Sequence, residues 1–332
     1  MTLLTDELKQ WIGREVSYIA PEKIGRASIR YFALAIGDEN RLYFDEEYAM
    51  AAGYAGVIAP PTFICETNQY AHRQPNADGY IGHSWDLPLT GCRMIRGGHD
   101  YEFERPVSPE DQIKVKWRLE DISEHISSRG GTLLRVIALA VFSNLAGEAI
   151  ARNRETLIFE PIHGPERSAS RTGSRSSTMI PDSQPAPSSS DIPAELHIGQ
   201  RLPTLERNID LVRMIAYAGA TWDWARLHYD PAYVAERDLP APVIDGQMLG
   251  ALVSELLLDW LGTGAFIRRL RFRLRAMAFA GDTLRCGGEV TAIATEREHR
   301  LLTVSHHVSV GTRLIADGSA EVRIPARWEH GR

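Results

Sequence analysis

Between residues 247 and 261 the apolar side chains Leu249, Leu252, Val253, Leu256, Leu257 and Trp260 recur at helical spacing, with further apolar residues beside them. So wide an apolar face predicts a helix wrapped by sheet. Gly262 and Gly264 follow it, and the pattern then changes to a partial alternation. Over 267–275, Ile267, Arg269, Arg271, Arg273 and Arg275 are set against Arg268, Leu270, Phe272 and Leu274, which predicts a strand. Further strands are predicted over 283–294, 299–310 and 312–324, with short turns such as 280–282 (Ala-Gly-Asp) and 316–318 (Ala-Asp-Gly).

The first half repeats this order. A helix is expected after Pro60-Pro61, more polar than its counterpart because it carries Thr62, Glu66, Asn68, Gln69 and His72. Strands are expected near 96–106, 112–123, 133–143 and 149–160. A long helix followed by an antiparallel meander is an α+β order, here present twice. Between the halves, about 164–190 is dominated by Ser, Pro, Gly and Arg and nearly lacks large apolar residues. Such a stretch buries too little surface to offset the entropy of ordering it and reads as a flexible linker. The expected division is a domain over 1–160, a linker over 161–192 and a second domain over 193–332.

The halves are copies. At one offset of 185 residues Asp38 meets Asp223, Phe32 meets Tyr217, Asp45 meets Asp230 and Tyr48 meets Tyr233, with no gap. A domain-sized period is a tandem duplication, not a solenoid. The copies differ where chemistry is expected. Asp223 and His228 lie in a polar turn after an apolar helix, where an acid and an imidazole can converge on one water. In the first copy the imidazole position is Tyr43. A phenol titrates near about 10 and imidazole near about 6.5, so a base working at neutral pH belongs to the second copy.

Composition narrows the classes. A net charge of −6 argues against a nucleic-acid surface. Three scattered cysteines, Cys65, Cys92 and Cys286, support neither a zinc site nor a disulfide framework. The first residues lack a signal-peptide pattern and no apolar run reaches membrane-spanning length, so a cytoplasmic protein is expected.

Four features together resemble the MaoC-like, (R)-specific enoyl-CoA hydratases. They are the Asp223-x4-His228 turn, Ile-Asp-Gly-Gln-Met-Leu at 244–249, the long helix, and Phe-Ala-Gly-Asp-Thr-Leu at 279–284. The first half, through Gly-Asp-Glu-Asn at 37–40 and the run 53–63, resembles the related N-terminal dehydratase-type domain. The resemblance implies a tandem, or double, hot-dog fold, in which a long central helix is wrapped by antiparallel sheet. It implies reversible hydration of a 2-enoyl-CoA, with Asp223 and His228 as catalytic acid and base. The Gly246 backbone N–H would polarise the thioester carbonyl. No metal or redox cofactor is implied; an acyl-CoA is the expected partner, and a homodimer of double hot-dog chains is compatible with the fold. Trp222, Trp224, Asp245 and Tyr43 are the expected substrate contacts. The family has Asn-Pro where this chain has Ala225-Arg226, and commonly His where it has Asp245. Three other readings share the fold: a dehydratase of carrier-protein-bound acyl groups, a thioesterase using Glu255 or Asp259 of the central helix, and an acyl-CoA-binding protein without turnover.

Overall fold

In the computed structural model, residues 3–127, 131–162, 196–296 and 299–326 are described. The first half contains α1 (Asp6–Lys9), β1 (Glu15–Ile19), α2 (Gly25–Ile36), α3 (Glu46–Ala51), α4 (Phe63–Glu66), β2 (Cys92–Phe103), β3 (Lys114–Ile126), β4 (Thr132–Ser143) and β5 (Ala149–Pro161). The second contains β6 (Leu205–Asn208), α5 (Leu211–Thr221), α6 (Pro231–Ala235), α7 (Gly246–Leu261), β7 (Phe266–Leu274), β8 (Thr283–Glu296), β9 (His299–Val310) and β10 (Arg313–Pro325). The ten strands form one antiparallel sheet in the order β1-β3-β4-β5-β2-β7-β10-β9-β8-β6. The halves therefore meet edge to edge at β2 and β7. Each covers what would otherwise be the other's unpaired strand edge. Residues 163–192 of the expected linker lie outside the described residues.

The second half is the double hot dog's intact copy. Helix α7 is buried on nearly every side, and Leu252 and Leu257 are wholly inaccessible. Asp245 caps it, its Oδ1 accepting from Gln247 N at 2.9 Å. Burial of its Leu, Val and Trp side chains contributes on the order of 10 kcal/mol of gross hydrophobic stabilisation. The packing is close enough to need small residues: a Cβ on Gly250 would come within 2.7 Å of Phe272 Cε1.

In the first copy the central helix is reduced to one turn, α4. Thr67 turns extended, and Asn68 N donates to Thr221 O of the second half at 2.7 Å instead of continuing the helix. The sequence after Glu66 has no apolar stripe to hold a helix, and Pro75 disfavours helical backbone before it. The chain instead runs irregularly to β2, passing over the second half. Two details of the strands also differ from the pattern. Residues 316–318 are not a turn but lie inside β10, where Gly318 is required because a Cβ would meet Arg271 O. The alternation of β7 is broken by a bulge at Arg268, which leaves Ile267 and Leu270 both buried.

The duplication holds in three dimensions. Helices α2 and α5 end 185 residues apart, the 3₁₀ turns Arg41–Tyr43 and Arg226–His228 match at that offset, and Asp45 and Asp230 cap the equivalent α3 and α6. The arginines of β7 join the halves: Arg269 pairs with Asp100 and Glu102, and Arg271 with Asp100. No helix of the described residues is long and apolar enough to cross a membrane.

Candidate active site

Helix α5 ends at Trp222, whose left-handed conformation (φ 59°) reverses the chain and turns Asp223 inward. Asp223 is 3% exposed, and its Oδ1 accepts from Ala225 N at 3.1 Å. The following 3₁₀ turn presents His228, whose Nδ1 lies 2.7 Å from Val243 O. A carbonyl can only accept, so Nδ1 carries the proton and Nε2 of the neutral ring is the free base. Nε2 faces Asp245 Oδ2 at 4.0 Å. One oxygen or nitrogen atom from each of Asp223, His228 and Asp245 lies within 4.8 Å of the others, so a single water between them is within hydrogen-bond reach of all three. They line a narrow, closely packed cleft with Met214, Tyr217, Ala218 and Met248.

Burial, and next the neighbouring Asp245, push the Asp223 carboxyl above its ordinary range; His228 and Arg96 oppose this. Arg96 comes from β2 of the first half. Its Nη1 donates to Gln247 Oε1 at 2.5 Å, and its Nε lies 3.3 Å from Glu155 Oε1. Asp223, His228 and Asp245 are also of the types, and at a spacing, that could ligate a metal ion. Tyr217 reaches the cleft from α5 and donates to the buried Glu66 at 2.7 Å; burial holds that carboxyl well above its usual range.

Asp223 and His228 thus come together as their spacing suggests, and Asp245, expected as a helix cap or substrate contact, joins them while also capping α7. Gly246 opens α7, where first-turn amides have no intrahelical partner. It lies between the cleft residues Asp245 and Met248. A Cβ there would meet Leu274 Cδ1 at 2.5 Å, so its smallness serves helix–sheet packing. Trp222 and Trp224 are outside the cleft lining. Trp222 is 45% exposed, and Trp224 packs on Tyr229 with ring centroids 6.0 Å apart. Tyr43 lies in a second cleft, lined also by Tyr54, Ile58, Phe103, Leu258 and Phe266.

That second cleft holds the first copy's Tyr43 between both halves, and the first copy has lost more than the imidazole. The positions of Asp245 and Gly246 are Pro60 and Pro61, so the amide donor is gone as well. Glu255 and Asp259 lie on this side. Glu255 pairs with Arg207 and, by burial first and Asp38 second, is pushed up to about 8. It is about 14 Å along α7 from Gly246, too far to act at the Asp223 cleft. Sequence reasoning missed Arg96, Glu155, Tyr80 and Tyr217. Only Tyr217 left a trace, as a polar residue opposite Phe32 in the repeat.

The sheet is that of two joined hot dogs, with Asp223, His228 and Asp245 grouped at the head of the long central helix of the second. A family model described as "MaoC like domain" matches residues 194–312, and one described as "FAS1-like, dehydratase domain region" matches residues 10–153. The chain belongs to the MaoC-like dehydratase family. It is similar to the UPF0336 proteins of Streptomyces avermitilis (37% identity over 114 residues, 34% of this chain and 72% of that one) and Saccharopolyspora erythraea (32% over 150 residues, 45% and 89%). Among solved structures it is similar to a MaoC-like dehydratase from Phytophthora capsici (TM-score 0.64, 17% identity, 98% and 99% of the two chains). It is also similar to RV0216 of Mycobacterium tuberculosis, described as having a double hotdog fold (TM-score 0.61, 14% identity, 94% and 96%). At these identities the structural likeness speaks to the fold.

Proposed function

We propose that the chain adds water reversibly across the double bond of a 2-enoyl-CoA, giving a 3-hydroxyacyl-CoA, with one active site in its second half. The observation that carries this reading is the orientation of His228. Val243 O holds the ring at Nδ1, which leaves Nε2 toward Asp245, with Asp223 beside them, at the start of α7.

In this reading water is held between Asp223 and His228. Nε2 takes one proton as the oxygen bonds to C3, and the C2–C3 π electrons move toward the thioester carbonyl. The Gly246 N–H, aided by the α7 dipole, stabilises the developing enolate oxygen; one such donor is worth about 3 kcal/mol. C2 then takes up a proton from the acid–base pair, so the hydroxyl ends on C3 and a hydrogen on C2. Asp245 caps α7 with one oxygen and offers the other to the imidazolium formed on the way. Positioned acid–base groups of this kind contribute roughly 10² to 10⁴ in rate.

The test is product identity. Crotonyl-CoA and a bulkier enoyl-CoA are incubated with the protein and analysed by mass. A product heavier by one water supports the reading. Free CoA without hydration would replace it with a thioesterase. Turnover only of a carrier-protein thioester would move the substrate from CoA to carrier.

A further inference from the structure

Arg96 reaches the cleft because of a break in the pairing of β2. Along β2 the register with β5 shifts between Arg96 and Gly98, which makes Gly97 an extra residue. Beyond the bulge His99, Tyr101 and Phe103 face inward and are buried. Unbroken alternation would continue that face through Gly97 and Ile95 and turn Arg96 outward. One inserted residue reverses the parity, so Arg96 faces inward instead. Its partner across the ladder, Leu157, shares the face of Glu155 and Asn153. The bulge needs its glycines at the seam between halves: Gly98 has φ +154°, and a Cβ on it would come within 2.3 Å of Phe272 O on β7.

Once inside, Arg96 is surrounded by elements of both halves. Gln247 of α7 accepts from its Nη1, and Gln247 Nε2 in turn donates to Cys65 O at 3.2 Å. Glu155 of β5 lies 3.3 Å from its Nε. The Tyr80 ring, on the segment that replaces the first copy's helix, is centred 6.0 Å from its Cζ. Asp223 and Asp245 both act on the guanidinium electrostatically. We propose that Arg96 is a positioning residue for the reaction centre of the other half: it fixes the first turn of α7 through Gln247 and supplies the positive charge that the facing carboxylates Asp223 and Asp245 share. This rests on the hydratase reading for its consequence in turnover, but the electrostatic part stands without it.

The carboxylate of Asp245 faces Asp223, and its like charge adds to burial in disfavouring ionisation of Asp223. Asp223 is faced by Asp245, His228, Arg96, Tyr80 and Glu155. Asp245 is faced in addition by Glu66, Tyr217 and His99. Glu155 competes for the same guanidinium. Removing Arg96 and removing Glu155 therefore have opposite effects on Asp223, which a purely structural role for Arg96 does not produce.

The experiment uses the full chain as wild type, Arg96→Gln, Arg96→Lys and Glu155→Gln. The carboxyl titration of ¹³C-labelled aspartate is followed by NMR, with Asp223→Asn identifying the signal, and kcat and KM for crotonyl-CoA are measured against pH. Arg96→Gln is expected to move the Asp223 midpoint upward by about one pH unit. The acidic limb of kcat should move with it, while KM changes little. Arg96→Lys should restore most of the wild-type midpoint, and Glu155→Gln should move it downward. An unchanged midpoint in Arg96→Gln, or a shift of the same sign in both neutralising variants, overturns the proposal. If Arg96→Gln does not fold, the sign seen in Glu155→Gln and the recovery in Arg96→Lys decide it. A wild type that titrates as described but adds no water to any enoyl thioester refutes the hydratase reading and leaves the placement of Arg96 supported.

Discussion

Gly79→Ala tests whether the segment that replaced the first copy's helix holds the catalytic turn of the second. Gly79 has φ +85°, and a Cβ on it would lie 2.1 Å from Trp224 O, whereas real contacts do not fall below 3.0 Å. One partner must therefore yield by about 1 Å, and Trp224 O belongs to the backbone between Asp223 and His228. Two bonds beside the contact are exposed to the shift: Arg226 N donates to Asp78 O at 2.8 Å, and Tyr233 OH to Asp78 Oδ1 at 2.6 Å. Left-handed backbone costs an alanine about 1–2 kcal/mol. Loss of the two hydrogen bonds adds about 1 kcal/mol each. The total, about 3–4 kcal/mol, corresponds to a fall in Tm of roughly 5–10 °C for a chain of this size. A displacement of about 1 Å at reacting groups can cost about 10²-fold in rate. Gly147→Ala is the control, because Gly147 has φ +87° and nothing within 4 Å of a Cβ. It should lose only the backbone term and leave turnover intact. Scanning calorimetry and crotonyl-CoA turnover of both variants are the assays. Equal losses of Tm in the two, with equal turnover, would refute the docking role.

Two other consequences are open to measurement. Burial first, and the charge of Asp259 after it, raise Asp38 to about 7, and Glu255 stands at about 8. Both lie above their unfolded values, so the stability they contribute is present below about pH 4 and is lost as pH rises through 7 to 8. Asp38→Asn, which can still accept from Asn40 N, should raise Tm at pH 8.5 and narrow its difference from pH 6; an unchanged difference would contradict the assignment. Leu257→Ala, at a wholly buried site on α7, should cost about 3 kcal/mol, read as a lower urea midpoint with unchanged slope. A loss well under 1 kcal/mol would mean that α7 is not the centre of the core.

Much of the fold is legible in the chain because alternation and turn residues agree. The strand over 299–310 is observed as His299–Val310, and the apolar stripe over 247–261 as Gly246–Leu261. The first copy's helix begins after Pro60-Pro61 as expected, and its polar character hints at its shortness, but the bond that ends it, Asn68 N to Thr221 O, is tertiary and has no local signature. Asp223 and His228 stand out in the repeat, one as a shared position and the other as a difference, whereas Asp245 faces Pro60 there and draws no attention from it. Trp222 and Trp224 could not be placed, since a left-handed cap turns neighbours in sequence to different sides. Arg96 was invisible for a sharper reason. Its direction depends on the parity of one bulge, and only the pair Gly97-Gly98 hints at it.

The central claim is that water is activated by His228 in the second copy alone. It is tested most directly by crotonyl-CoA hydration in wild type, His228→Ala and Tyr43→Phe, followed at the enoyl absorbance. Tyr43 holds the equivalent place in the first copy, so its variant should keep the wild-type rate, while His228→Ala should fall by roughly 10² or more. Full activity in His228→Ala would contradict the account.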